Sequence, residues 1–148
     1  MKPNLTQLTK QTLERGYLMS LGVVDADGPW VADVIYVFDE DLNIYWMSRT
    51  TRRHSVAIET FESHVAGTIT VSQDPSDTDE GLQLSGVAER VENPSKELLV
   101  QWMKKKKKLT LLAPLVRLVL DDHVWYKLTP DRIELISRKN FRDRQRVV

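Results

Sequence analysis

The sequence predicts a mainly β protein, a small antiparallel barrel with helices at its periphery. Three observations carry this. The chain holds six or seven short β-like runs. Turn clusters such as DADGP and DEDLN separate successive runs at hairpin spacing. Helical spacing is confined to short stretches that do not alternate with the strands, and no G-x-G-x-x-G follows a strand, so a βαβ arrangement fails.

The elements follow in order. Residues 4–15 place Leu5, Leu8 and Leu13 among polar neighbours, a weakly amphipathic helix stopped by Gly16. YLMSLGVVDADGPWVADVIYVFDEDLNIYWMS reads as three strands, 17–24, 31–38 and 43–48, joined by hairpin turns. Residues 51–62 return to helical spacing through Val56, Ala57, Ile58 and Phe61. HVAGTITVS predicts a strand over 64–72. A polar loop, QDPSDTDE, leads to another over 82–91, with a bulge expected at Gly86. Asn93-Pro94 starts a helix, Asn93 as N-cap and Pro94 at the first helical position, which runs through Leu98, Leu99 and Trp102 into Lys104–Lys108. A second short helix is expected from Pro114. HVWYKLTPDRIELIS closes the pattern as two strands, 123–128 and 132–137, around a Thr-Pro-Asp turn.

Composition bounds the function. The 148 residues fit one domain, 1–148, with a real core. Hydrophobic content is 41% and charged content 28%, the balance of a globular chain. Lys+Arg and Asp+Glu are both 21, so overall charge draws the protein toward neither nucleic acid nor membrane. The absence of cysteine excludes disulfides, thiolate catalysis, Cys-ligated zinc and iron–sulfur clusters. The first residues carry no apolar signal-peptide core, and LTLLAPLVRLVL at 109–120 is too short and too interrupted to span a bilayer. A cytoplasmic location is the expectation.

The candidate site is SRTTRRHS at 48–55, where a strand end hands over to a helix start. Arg49, Arg52, Arg53 and His54 fall within six residues, interleaved with hydroxyls. Free amides at a helix start, guanidinium forks and hydroxyl donors together make a phosphate seat. The plainer alternative is a solvated turn whose arginines pair with Glu59 or Glu62. Cations at a helix start oppose the macrodipole, and a bound anion would offset that cost. His54, His64 and His123 have no metal-ligand spacing, so no metal is expected, and His64 and His123 read as residues bordering strands. The lysines 104–108 fit a solvated helix end better than a nucleic-acid patch. Trp30, Tyr36, Tyr45, Trp46, Trp125 and Tyr126 lie in strand runs, suited to a barrel core or a dimer interface. No Ser-His-Asp arrangement can be assembled.

The ordered set DADGP, VADVIYVFD, IYWMS, RRHSVAI, HVAGTI and GLQLSGVAERV resembles the FMN-binding split barrel of the pyridoxamine 5′-phosphate oxidase-like superfamily, over roughly residues 15–137. The resemblance implies an antiparallel split β-barrel and a homodimer with the flavin between subunits. It implies FMN as cofactor and a flavin-dependent oxidoreductase of unspecified substrate. It places the FMN phosphate on Ser48, Arg52, Arg53 and His54, and the flavin ring near Asp33 and Val34, chiefly against backbone. His54 stands where lysine is common, which lowers the charge and makes binding pH-dependent. Two alternatives keep the fold. One replaces the flavin with haem, ligated by His54, His64 or His123. The other is a barrel without cofactor that serves as a binding module.

Overall fold

The computed structural model describes residues 2–92, 94–106 and 122–148. Six antiparallel strands close into a barrel: β1 (Leu18–Asp25), β2 (Gly28–Phe38), β3 (Ile44–Arg49), β4 (His64–Thr70), β5 (Glu80–Val91) and β6 (His123–Ser137). The strand order is β3-β2-β1-β4-β5-β6, and pairing of β3 with β6 completes the ring. A two-residue strand, β7 (Gln145–Arg146), adds to the far part of β6. Three helices are described: α1 (Leu5–Arg15), α2 (Arg53–Thr60) and α3 (Lys96–Lys105). None is long and apolar enough to cross a membrane.

The alternation that predicted strands sorts the two faces. On β4, Val65, Gly67 and Ile69 point inward while Ala66, Thr68 and Thr70 are exposed. The interior is filled by Met19, Leu21, Tyr36, Ile44, Trp46, Ile69, Leu82, Tyr126, Leu128, Ile133 and Leu135, each almost fully removed from solvent. Burial of each such side chain is worth about 1.5–3 kcal/mol, so this layer dominates the stability. Trp46 and Tyr126 stack at its centre, ring centroids 5.8 Å apart. The aromatic runs therefore divide: Tyr36, Trp46 and Tyr126 form core, Tyr45 and Trp125 lie under α3, and Trp30 stays exposed.

Several expectations shift on the fold. Helix α1 is capped by the Asn4 side chain, which accepts from the Gln7 amide at 3.1 Å. It ends at Gly16, whose amide still donates to the Thr12 carbonyl, in extended backbone that runs straight into β1. The two closing strands are one continuous strand, β6. Its partner β5 changes register between Ser85 and Gly86, so Ser85 faces Arg132, Gly86 faces Pro130, and Asp131 is the extra residue. A bulge absorbs the proline, which has no amide to give the ladder, without breaking the strand. Gly86 is required there, since a Cβ would sit 2.1 Å from the Thr129 carbonyl oxygen.

Helix α3 starts at Lys96, later than Asn93-Pro94 suggested, because the Ser95 hydroxyl is the cap and accepts from the Leu98 amide at 3.4 Å. Asn93 itself, the end of the lysine run and the helix expected from Pro114 lie outside the described residues. Leu98 and Trp102 pack α3 onto Val37 on the outer wall, flanked by Ile35, Tyr45, Met47 and Trp125. The Gln101 side chain satisfies both backbone groups of Phe38, accepting from its amide at 2.9 Å and donating to its carbonyl at 3.0 Å. One lysine of the run is not solvated. The Lys105 ammonium lies 3.6 Å from the centroid of the Tyr36 ring and donates to the Leu13 carbonyl at 3.0 Å, tying α3 to α1.

Candidate functional site

The barrel is incompletely laced, and the gap is where the candidate turn lies. Strand β2 pairs with β1 along most of its length, from Gly28 to Ile35. It pairs with β3 only through Tyr36, Val37 and Phe38. Beyond that point β3 turns its ladder to β6, where Met47, Ser48 and Arg49 face Trp125, Val124 and His123. Among the described residues the stretch Gly28–Ile35 therefore has a strand neighbour on one edge only, and its other edge carries amides and carbonyls with no ladder partner there. Asp33 and Val34 lie in this stretch. Val34 is buried in the core. Asp33 is exposed and accepts from the Ser20 hydroxyl at 2.6 Å.

Helix α2 begins at Arg53, just after β3 ends. Its N-cap is Arg52, a residue with no acceptor side chain, and no side-chain cap bond forms. The first amides of α2 are thus left without the partner that Ser, Thr, Asn or Asp would supply. Arg52 is exposed and forms no ion pair among the described residues.

The other turn residues are already engaged. Ser48 and His54 are both buried, 7% and 8% exposed, and the Ser48 hydroxyl shares a 2.7 Å hydrogen bond with His54 Nε2. Burial, and secondarily the charge of Arg52, lowers the His54 pKa, so the ring is neutral at pH 7. Arg53 forks onto Asp25, Nε to Oδ2 at 2.8 Å and Nη2 to Oδ1 at 3.0 Å, with its guanidinium 4.4 Å from the Trp30 ring centroid. Asp25 also accepts from the Asp27 amide at 2.9 Å, so one carboxylate closes the β1–β2 hairpin and holds the start of α2. That hydrogen-bonded fork keeps Asp25 below the usual carboxylate range. Glu59, expected as an arginine partner, instead accepts from the Tyr126 hydroxyl at 2.8 Å and faces Arg90 at 3.8 Å.

One residue and one pairing that bear on the site escaped the sequence reading. Asp25 sits in a turn motif that reads as a hairpin signal, and only the fold brings it to Arg53. His123, read as a strand border, lies directly across the ladder from Arg49. His64 does border β4, where its Nε2 contacts Asp131 at 2.6 Å. Among the described residues no group of three or more His, Asp or Glu side chains is gathered as metal ligands would be. Away from the turn, a cavity of about 680 Å³ opens between the ends of β4 and β5 and the 137–144 segment, with Thr68, Ser72, Gln83, Arg138 and Arg144 among its walls.

No protein-family model matches the sequence, and no curated protein is similar to it at the level of sequence. Solved structures are similar in fold. A putative pyridoxamine 5′-phosphate oxidase from Listeria innocua is 21% identical, matched over 90% of this chain and 98% of its own, with a TM-score of 0.67. HutZ, a heme storage protein from Vibrio cholerae, is 19% identical over 91% of this chain and 95% of its own, with a TM-score of 0.63. An F420 reductase is 20% identical over 88% of this chain and 97% of its own, with a TM-score of 0.64. At these identities the likeness shows the fold alone, an antiparallel split barrel.

Proposed function

We propose that this protein binds FMN and serves as a flavin-dependent oxidoreductase, working as a cytoplasmic homodimer. One observation carries the reading: the unpaired edge of β2 over Gly28–Ile35 lies beside a helix start that no side chain caps. A flavin ring needs donors and acceptors along its polar edge, and the backbone around Asp33 and Val34 offers them. A phosphate needs amides and cations, and the first turn of α2 with Arg52 offers those. In this reading Ser48 and His54 hold the turn in shape from below, and Arg53 reaches the phosphate by leaving Asp25. The bound flavin supplies hydride or electron transfer, while the chain supplies anchoring, ring orientation and shelter from water.

Dimerisation is part of the proposal because the wall beside the gap is apolar and open. Val31 is 62% exposed, Trp30 45% and Phe61 58%. A second copy seated there would bury these side chains and close the groove. Light scattering at micromolar concentration tests it, and a monomer would remove the shared groove.

A second reading puts haem in the same fold, since HutZ, which shares the barrel, is a heme storage protein. The Nε2 atoms of His54 and His64 meet Ser48 and Asp131, and each ring keeps its other nitrogen, so His54, His64 and His123 are all candidate ligands. The absorption spectrum of the purified protein, followed by FMN titration, separates the two. Flavin absorbs in the blue, and haem gives a Soret band. A protein that purifies colourless and quenches no FMN fluorescence would instead be a cofactor-free module.

A further inference from the structure

Lys105 lies between α1 and α3, at the barrel end away from the β3–α2 handover. Its ammonium stands over the Tyr36 ring, with the Phe38 ring centroid 5.9 Å away. It donates to the Leu13 carbonyl oxygen, which also accepts from the Tyr36 hydroxyl at 2.7 Å. Burial raises the Tyr36 pKa, so the phenol stays protonated and offers Lys105 a ring face and no negative charge. Among the described residues no carboxylate forms an ion pair with Lys105, and Glu14 acts on it only through its charge. Buried charges are ordinarily paired. A ring face and one carbonyl replace water poorly, so this ammonium gives up its proton readily.

Two cavities meet at Lys105. One, of about 580 Å³, has Glu14, Phe38, Lys96, Glu97 and Lys104 among its walls. The other, of about 560 Å³, runs past Arg15, Tyr17, Gln73 and Lys104. Arg15 already pairs with Glu80, and Lys104 is the second cation that lines both cavities. The amine is therefore stripped of water on its ring side and reachable from its cavity side. Desolvation pushes its pKa down to about 7, with Glu14 opposing. Near neutral pH about half of it is free amine, against less than about one part in a thousand for an ordinary lysine.

We propose that Lys105 is an acylation site, its amine taking the acyl group of an acyl phosphate that enters through the cavities between α1 and α3. The nitrogen lone pair attacks the acyl carbon and an N–C bond forms. The C–O bond to phosphate breaks, and inorganic phosphate leaves with that electron pair and the surplus proton of the amine. Lys104 supplies positive charge for the departing phosphate. The product suits the niche. A neutral amide keeps an N–H for the Leu13 carbonyl, whereas a carbamate formed from carbon dioxide would set an anion over the negative face of the Tyr36 ring. Acylation removes the cation–π contact and loosens the tie between α1 and α3. None of this rests on the flavin reading.

The test incubates the full chain with acetyl phosphate at pH 6, 7, 8 and 9. Acetylation of Lys104, Lys105 and Lys106 is timed by mass spectrometry of peptides cut at acidic residues. At pH 7 Lys105 should react roughly tenfold faster than either neighbour, the gain in free amine outweighing its lower basicity. Its rate should level off above about pH 8, while the rates at Lys104 and Lys106 keep rising. In denaturant the three lysines should react alike. If folded Lys105 reacts no faster than its neighbours, or its rate climbs with pH without a plateau, the proposal is overturned. A lead for Lys105 that persists in denaturant overturns it too, because the preference would then come from local sequence and not from the niche.

Discussion

Asp25→Asn should tighten FMN binding, an unusual expectation for a substitution that removes an ion pair. In the free protein Arg53 is held by two charge-assisted bonds to Asp25, at 2.8 and 3.0 Å. An incoming phosphate must compete for that guanidinium. Asparagine keeps a side-chain oxygen for the Asp27 amide, so the hairpin turn survives. It loses the negative charge and the fork. The Arg53 and Asp25 side chains are 34% and 20% exposed, so the lost competition is that of a partly screened pair. Removing it should strengthen FMN binding by about two- to fivefold. Arg53→Ala should weaken binding. The double variant should match Arg53→Ala, because the aspartate acts through the arginine and the two effects are not additive. The assay is an FMN fluorescence titration of the four proteins at one ionic strength. If Asp25→Asn leaves the affinity unchanged or lowers it, Arg53 is a tie between α2 and the hairpin and is not an anion ligand.

Two further predictions concern stability. Gly86→Ala would place a Cβ 2.1 Å from the Thr129 carbonyl oxygen and 2.8 Å from Pro130 Cα, so backbone must move. The cost should be about 3 kcal/mol, lowering Tm by roughly 10 °C, and a calorimetric Tm within a degree or two of wild type would refute the close contact. His54 titrates below its ordinary 6.5 because it is buried, with Arg52 adding to the effect. As pH falls below that value the unfolded chain takes up the proton first, so stability is full above it and declines toward the folded-state pKa. Denaturant midpoints at pH 7 and pH 5 should therefore fall more in wild type than in His54→Gln, with His123, lowered in the same sense, leaving a smaller slope in both. Parallel pH profiles would mean that His54 is not buried neutral.

Local signals carried most of the fold. The meander β1–β2–β3 was legible because the turn residues declare themselves: Asp39 alone accepts from the Asp41 and Asn43 amides and from Tyr45. The glycine expected to mark a bulge does so. What failed were readings that needed a partner strand. Thr129-Pro130-Asp131 looks like a turn until β5 is seen to slip register against it. Asn93 is the cap that the Asn-Pro pair predicts, and Ser95 is the cap of α3. At the site, the sequence showed the density of cations at 48–54 but not which were free. Asp25 and Arg53 are joined only when the hairpin tip meets the start of α2, and Arg49 meets His123 only through the closing ladder. Those pairings are properties of the closed sheet, with no counterpart in local spacing.

The closing ladder also sets the order in which the chain can be built. Strands β1, β2 and β3 pair as hairpins, each with its near neighbour in sequence. The pairing of Ile44 with Leu128, and of Arg49 with His123, joins opposite halves of the chain. Contacts of such long sequence separation form late, because the entropy of closing the intervening loop must be met first. Until β6 is made and docks, β3 presents an open edge bearing Tyr45, Trp46 and Met47, a segment well suited to pairing with another chain. During synthesis the protein is therefore most vulnerable to misassociation in the interval before its last long strand emerges.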